Sequence, residues 1–141
     1  MNLAASTGYD KPLPNTADPL MAPFWAHAHA GRLTVQRCVA CSDRHMPATH
    51  ICPACLGDEQ EWETVSGRAE LVSWVEFHKA YWGGFVRDLP YLVCLVKLEE
   101  GPQLYSNVVG AREEDLVVGQ KMRVVFDKVT PDVTLPKFAP A

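Results

Sequence analysis

Two short cysteine pairs constrain this chain more than any other feature. Cys38-Val39-Ala40-Cys41 is followed, after a ten-residue loop, by Cys52-Pro53-Ala54-Cys55. Each pair forms a tight knuckle, and the loop from Ser42 to Ile51 is long enough to fold one knuckle over the other. Four of the five cysteines fall in this pattern. Four sulfurs meeting at one point make a tetrahedral metal site. Zn²⁺ is the expected guest, one per chain, because it favours thiolate at about 2.3 Å and has no redox chemistry. Cys38, Cys41, Cys52 and Cys55 are the predicted ligands. A closed four-thiolate set leaves no open position for substrate, so the metal is expected to be structural. Two alternatives stand beside zinc. Iron uses the same four-thiolate geometry, although Ser42 and Leu56 follow the second cysteines where glycine is usual in iron knuckles, so the backbone N–H donors that tune a redox iron are expected to be less well arranged. Two disulfides would suit an oxidising compartment.

Residues 1–10 lack the basic head and apolar core of a signal peptide, and no run of about 18 apolar residues is present. With the cysteine pairs, this points to a reducing cytoplasm and no membrane span. The composition, 48% hydrophobic and 21% charged, is that of an ordinary folded protein. The formal net charge is −4. Four thiolates and one Zn²⁺ would take it to about −6. A nucleic-acid binder built from a ribbon and a barrel would carry a basic face instead, so nucleic acid is an unlikely partner.

Residues 1–16, with Pro12 and Pro14, read as an extended arm. A helix is expected from Pro23 to Ala30, stopped by Gly31, with Phe24 and Trp25 as anchors against the ribbon or a partner. His27 and His29, two apart, lie on different helix faces and cannot chelate together. Leu33 to Arg37 alternates as a short strand. Arg37, Arg44, His45 and His50 make the ribbon locally basic, either as a solvated rim or as a surface for an acidic partner or phosphate. The acidic stretch Gly57 to Glu63 reads as a link to the next unit.

Strands follow from Trp62 onward. Arg68 to Phe77 is apolar on both faces and fits a long, curved strand. Tyr91 to Leu98 is a central strand. Gln103 to Val109, Lys121 to Val129 and Thr134 to Phe138 complete five, with a helical turn near Ala111 to Val117. This grammar is that of an OB-fold. The predicted fold is mainly β: residues 1–31 form an arm and helix, 32–61 a rubredoxin-like zinc ribbon, and 62–141 a five-stranded OB-fold barrel. Cys94 lies mid-strand and is expected to be buried and inert. Between the first two barrel strands lies His78-Lys79-Ala80-Tyr81-Trp82-Gly83-Gly84-Phe85-Val86-Arg87. Its aromatics around a glycine pair form either a mobile, exposed tip or a lid on the barrel. Lys79, Tyr81, Trp82, Phe85 and Arg87 are the predicted contacts for a partner or ligand.

Several spaced motifs carry a resemblance: Pro23-Phe24-Trp25, Gly31-Arg32-Leu33, Gln36-Arg37-Cys38, the cysteine knuckles, Val65-Ser66-Gly67, Asp88-Leu89-Pro90-Tyr91, Gly119-Gln120-Lys121-Met122 and Leu135-Pro136-Lys137-Phe138. Over roughly residues 12–141 the chain resembles the small zinc-ribbon/OB-fold proteins known as a domain of unknown function. The resemblance implies a helix, a rubredoxin-like ribbon and an OB-fold. It also implies association with thiolase-superfamily enzymes (thiolases, acyltransferases or aldolases) acting on acyl-CoA thioesters. The residues agree with a non-catalytic subunit that helps to hold or complete an acyl-CoA site. No Ser-His-Asp set, glycine-rich phosphate loop or evident carboxylate pair is visible, so no catalytic residue is predicted. A single-stranded nucleic-acid binder, using Trp74, Tyr81, Trp82 and Phe85 as stacking platforms, and a small iron redox protein are the alternatives.

Overall fold

The computed structural model describes residues 9–141. Of the arm expected over residues 1–16, positions 1–8 lie outside the described residues; 9–16 contain no helix or strand. Helix α1 spans Ala22–His29. Asp18 prepares its start: its carboxylate accepts from the Leu20 N–H at 3.3 Å, and its carbonyl accepts from Met21 and Ala22. Pro23 sits in the first turn, where no N–H is needed. At the other end, Gly31 N–H bonds to Ala28 O and Arg32 N–H to His27 O. Gly31 has φ +80°, which closes a Schellman motif only glycine enters without strain. Phe24 and Ala28 are buried.

The ribbon sheet has the order β2-β1-β3, with β1 at Thr34–Cys38, β2 at Arg44–His45 and β3 at Gln60–Thr64. The acidic stretch read as a link is therefore corrected: most of it is the third strand. Its sequence, Gln-Glu-Trp-Glu-Thr, lacks β-branched alternation, and cross-strand charge pairing supplies what propensity does not. Arg37 is ion-paired to Glu61 and to Glu63, and Arg44 pairs with Glu63 at 2.6 Å. The two arginines face one another in register, and Glu63 bridges them.

The second sheet has the order β6-β5-β4-β7-β8. Its strands are β4 (Arg68–Phe77), β5 (Tyr91–Leu98), β6 (Gln103–Asn107), β7 (Lys121–Lys128) and β8 (Thr134–Pro140). Strand β4 pairs with β5 along its length and with β7 at its first residues. A register shift between Leu71 and Ser73 lets it bend from one side of the barrel to the other. The edges β6 and β8 nearly close the barrel through a Val108–Phe138 bridge and a bond from the Ser106 hydroxyl to Pro136 O at 2.8 Å. A single 3₁₀ turn, Glu113–Asp115, stands where the helical turn was expected. The architecture is mainly β, with an N-terminal helix, a ribbon and a nearly closed five-stranded antiparallel barrel.

Leu71, Cys94, Val96, Leu98, Met122 and Phe138 fill the barrel, and Phe24, Leu33 and Val35 extend the same core under the helix and the ribbon base. His27 bonds to Thr34 of β1, and His29 bonds to Thr134 of β8 at 2.9 Å. The two histidines thus tie the helix to both units rather than pairing with each other.

Candidate metal centre and contact surfaces

The two knuckles are near-copies. Ser42 N–H bonds to Cys38 O and Leu56 N–H to Cys52 O; Cys38 N–H bonds to Asp43 O and Cys52 N–H to Gly57 O. Ser42 and Leu56, the residues after each second cysteine, both adopt φ 67°. The left-handed Leu56 aims the next backbone donor at sulfur, so that Gly57 N–H reaches Cys55 Sγ at 3.4 Å, and within the knuckle Ala54 N–H reaches Cys52 Sγ at 3.3 Å. The expectation that non-glycine residues here leave these donors poorly arranged is corrected, because the loop imposes the glycine-like backbone on Ser42 and Leu56 regardless.

The knuckles bring the four sulfurs to within 4.8 Å of one another. Cys38–Cys55 and Cys41–Cys52 are each 3.6 Å apart, and none of the five cysteines is in a disulfide. Four sulfurs at about 2.3 Å from a tetrahedral ion stand about 3.8 Å apart, so the set fits such an ion. Without a cation the four thiols resist ionising together. Cys38 is lowered to about 7, first by a backbone bond at Cys41 and then by sharing with Cys55. Cys41 is raised to about 12: a backbone bond at Asp43 lowers it, but burial and shared protons with Cys55, Cys52 and Cys38 prevail. A divalent cation removes that conflict. The four cysteines therefore form a metal site, whose geometry suits Zn²⁺ or iron.

The segment between β4 and β5 divides in two. Tyr81 and Trp82 are 63% and 58% exposed, with Lys79 Nζ 5.1 Å from the Tyr81 ring. Phe85 turns inward and stacks on Tyr91 at 5.0 Å, and Tyr91 stacks on Phe77 at 4.9 Å. Residues Gly83–Asp88 form a 3₁₀ turn. Arg87 pairs with Asp10 at 3.2 Å, and Lys11 pairs with Asp88. A Cβ on Gly84 would lie 2.4 Å from Asp10 O. The expected glycine-hinged tip is thus fastened by the arm, and only its first aromatics face outward. Both alternatives weighed from sequence hold in part: Phe85 belongs to a lid, while Tyr81 and Trp82 stand outside it.

Sequence reasoning missed a groove of about 630 Å³ between helix, ribbon and barrel. Phe24 and Trp25 of α1, Met46 of the ribbon loop, and Leu104, Pro136 and Phe138 at the β6–β8 seam line it. Phe24 and Trp25 were its only signal. Cys94 is buried, and burial pushes its thiol up to about 11. A thiol so protonated is a poor nucleophile. No helix among the described residues is long and apolar enough to cross a membrane.

Comparison with known proteins places both units. Residues 25–61 match the family model described as ChsH2, rubredoxin-like zinc ribbon domain, and residues 62–127 match ChsH2, C-terminal OB-fold domain. A DUF35 domain-containing scaffold protein of Methanothermobacter thermautotrophicus is 30% identical over 108 residues, covering 74% of this chain and 80% of that protein. A probable enoyl-CoA hydratase alpha subunit of Thermomonospora curvata is 34% identical over 121 residues. That match takes in 84% of this chain but spans only 37% of the relative's length. The solved structure described as Ltp2-ChsH2(DUF35) aldolase superposes with a TM-score of 0.81 at 29% identity, covering 92% of this chain and 98% of that one. The chain thus belongs to the DUF35 family, with its ribbon and barrel of the ChsH2 type.

Proposed function

We propose that this chain is a non-catalytic accessory subunit of a thiolase-superfamily enzyme that acts on acyl-CoA thioesters, and that it helps to hold or complete the acyl-CoA site. The observation that carries the reading is the similarity, over nearly the whole of both chains, to the DUF35 chain described with an Ltp2 aldolase. The hydratase subunit of Thermomonospora curvata supports the acyl-CoA part by its name. The chain's own chemistry is consistent with it. The one unligated thiol, Cys94, is buried and protonated, and the metal shell is closed by four sulfurs. Tyr81 and Trp82, flanked by Lys79 and Arg87, are the contact surface in this reading. Two exposed aromatics side by side are a typical interface anchor, and the arm and Phe85 hold them in place before any partner arrives, which lowers the ordering cost of binding. The ion is Zn²⁺, one per chain; the ribbon's family resemblance supports that choice, and the ion's part is to fix the knuckles. Cytoplasmic location belongs to the same reading, since four cysteines kept out of disulfides suit a reducing compartment.

The test is reconstitution with a thiolase-superfamily enzyme from the same organism. The chain alone should turn over no acyl-CoA, and the enzyme's turnover should rise when the chain is added. Turnover by the chain alone, abolished by Cys94→Ala, would contradict the reading.

A further inference from the structure

Leu56 holds a conformation that nothing inside the chain offsets. Its φ is 67°, a left-handed backbone that crowds a Cβ and that glycine adopts freely. Packing within the chain does not compensate, because the residue is 74% exposed. Ser42 takes the same φ on the other knuckle, but its side chain is small and polar, and water solvates it. A bulky residue that is both strained and solvated points to a use outside its own chain. Leu56 does not stand alone. Val39 and Ile51 are exposed on the same half of the ribbon. The knuckles abut there: a Cβ on Gly57, beside Leu56, would stand 3.6 Å from the Ala40 Cβ, beside Val39.

The charge around this apolar tip is negative. Between residues 37 and 67 the only lysine or arginine residues are Arg37 and Arg44, and both are ion-paired to glutamates of β3. Asp58 and Glu59 follow the second knuckle, are exposed, and have no ion-pair partner among the described residues. Cys41 and Cys55 are exposed as well, and four thiolates around a divalent ion keep about two negative charges. The surface that complements the tip is therefore apolar at its centre and cationic at its rim. A nucleic acid or an anionic bilayer offers the wrong charge.

We infer that the knuckle tip, led by Leu56, is a second docking surface for the enzyme partner, seated in an apolar socket of that enzyme rimmed by lysine or arginine. The inference rests on the accessory-subunit reading, which supplies the partner but gives the ribbon no contact of its own. Lysine and arginine N–H groups at the rim can donate to the exposed thiolates and to Asp58 and Glu59.

Zinc-loaded chains titrated calorimetrically against the enzyme used in the reconstitution test it. Leu56→Gly and Leu56→Asn both suit a left-handed backbone while removing the apolar side chain. Each should keep one zinc per chain and hold it against a chelator at least as long as wild type does. Each should bind the enzyme at least about 10-fold more weakly. Asp58→Asn/Glu59→Gln should lower the association rate about threefold at low salt, with the difference gone at about 1 M salt. Leucine variants that bind within about twofold of wild type overturn the inference and leave the accessory reading intact. A wild-type chain that forms no complex overturns both. Loss of zinc from Leu56→Gly also overturns it, because Leu56 would then be a support of the knuckle. So does self-association of the free wild-type chain that Leu56→Gly abolishes in sedimentation, because the tip would then meet a second copy.

Discussion

In the barrel, β4 and β5 carry Leu71, Cys94, Val96 and Leu98 into a core completed by Met122 and Phe138, all essentially shut off from solvent. The knuckle half of the ribbon has no such core. Val39, Ile51 and Leu56 are exposed there, and the groups facing inward are sulfurs. One unit is held by apolar burial, which acts at every residue of the sheet. The other is held at one point, by an ion that ties two turns together. The units meet at the ribbon base, where Leu33 and Val35 enter the barrel's cluster and the Phe24 ring lies 6.3 Å from Trp62, and at Met46, which packs against the same cluster. Damage to one end should therefore spread unequally to the other.

The largest effect is expected at Cys52, a buried member of the four-thiolate set. Cys52→Ser should release the metal, forfeiting a free energy on the order of 10 kcal/mol. Metal analysis should then find far less than one zinc per chain, and amide exchange should rise across residues 38–57 while β4 and β5 stay protected. A full equivalent of zinc in this variant would break the comparison, as would loss of protection in both units together. Next comes the barrel's own anchor. Phe138→Ala empties the middle of the seam between β6 and β8 and should cost about 3–5 kcal/mol, read as a lower unfolding midpoint in denaturant. The metal content should not change while the chain is folded. A smaller effect separates two adjacent glycines. A Cβ on Gly84 meets the Asp10 carbonyl, while one on Gly83 meets nothing within 4 Å. Gly84→Ala should cost about 1–3 kcal/mol and dislodge the arm, seen as faster proteolysis around residues 10–12. Gly83→Ala should leave both readings close to wild type. Equal behaviour of the two would mean that the arm does not hold this segment.

Much of this was legible in the sequence, for physical reasons that differ between elements. The bounds of β4 and β5 follow from apolar patterning bounded by turn residues, and the structure places them at Arg68–Phe77 and Tyr91–Leu98 as expected. The knuckles were legible because two close cysteine pairs, ten residues apart, can bring four sulfurs to one point. Strand β3 was not, because Gln60 to Thr64 has little strand propensity and is stabilised by Arg37 and Arg44, whose relevance appears only after pairing. The arm's clamp on Gly84 depends on Asp10, more than seventy positions away, and leaves no local trace. Likewise, the groove draws on α1, the ribbon loop, β5, β6 and β8, and the burial of His45 depends on how β2 packs. Both are products of tertiary contact, which periodicity does not encode.

Trp82 should show the smallest change in stability and the most informative change in binding. Its side chain is largely exposed, so Trp82→Ala should move the unfolding midpoint of the isolated chain by less than about 0.5 kcal/mol, as for other surface substitutions. If it anchors an enzyme partner, its loss should weaken association by about 2 kcal/mol or more, roughly 30-fold in Kd. Calorimetric titration of the wild-type and Trp82→Ala chains against the thiolase-superfamily enzyme used in the reconstitution, with thermal melts of each free chain alongside, tests the account most directly. The account predicts a stable complex for wild type, a loss of about 30-fold for the variant, and superimposable melts. An absence of complex with the wild-type chain, or a variant that melts much lower yet binds normally, would contradict it.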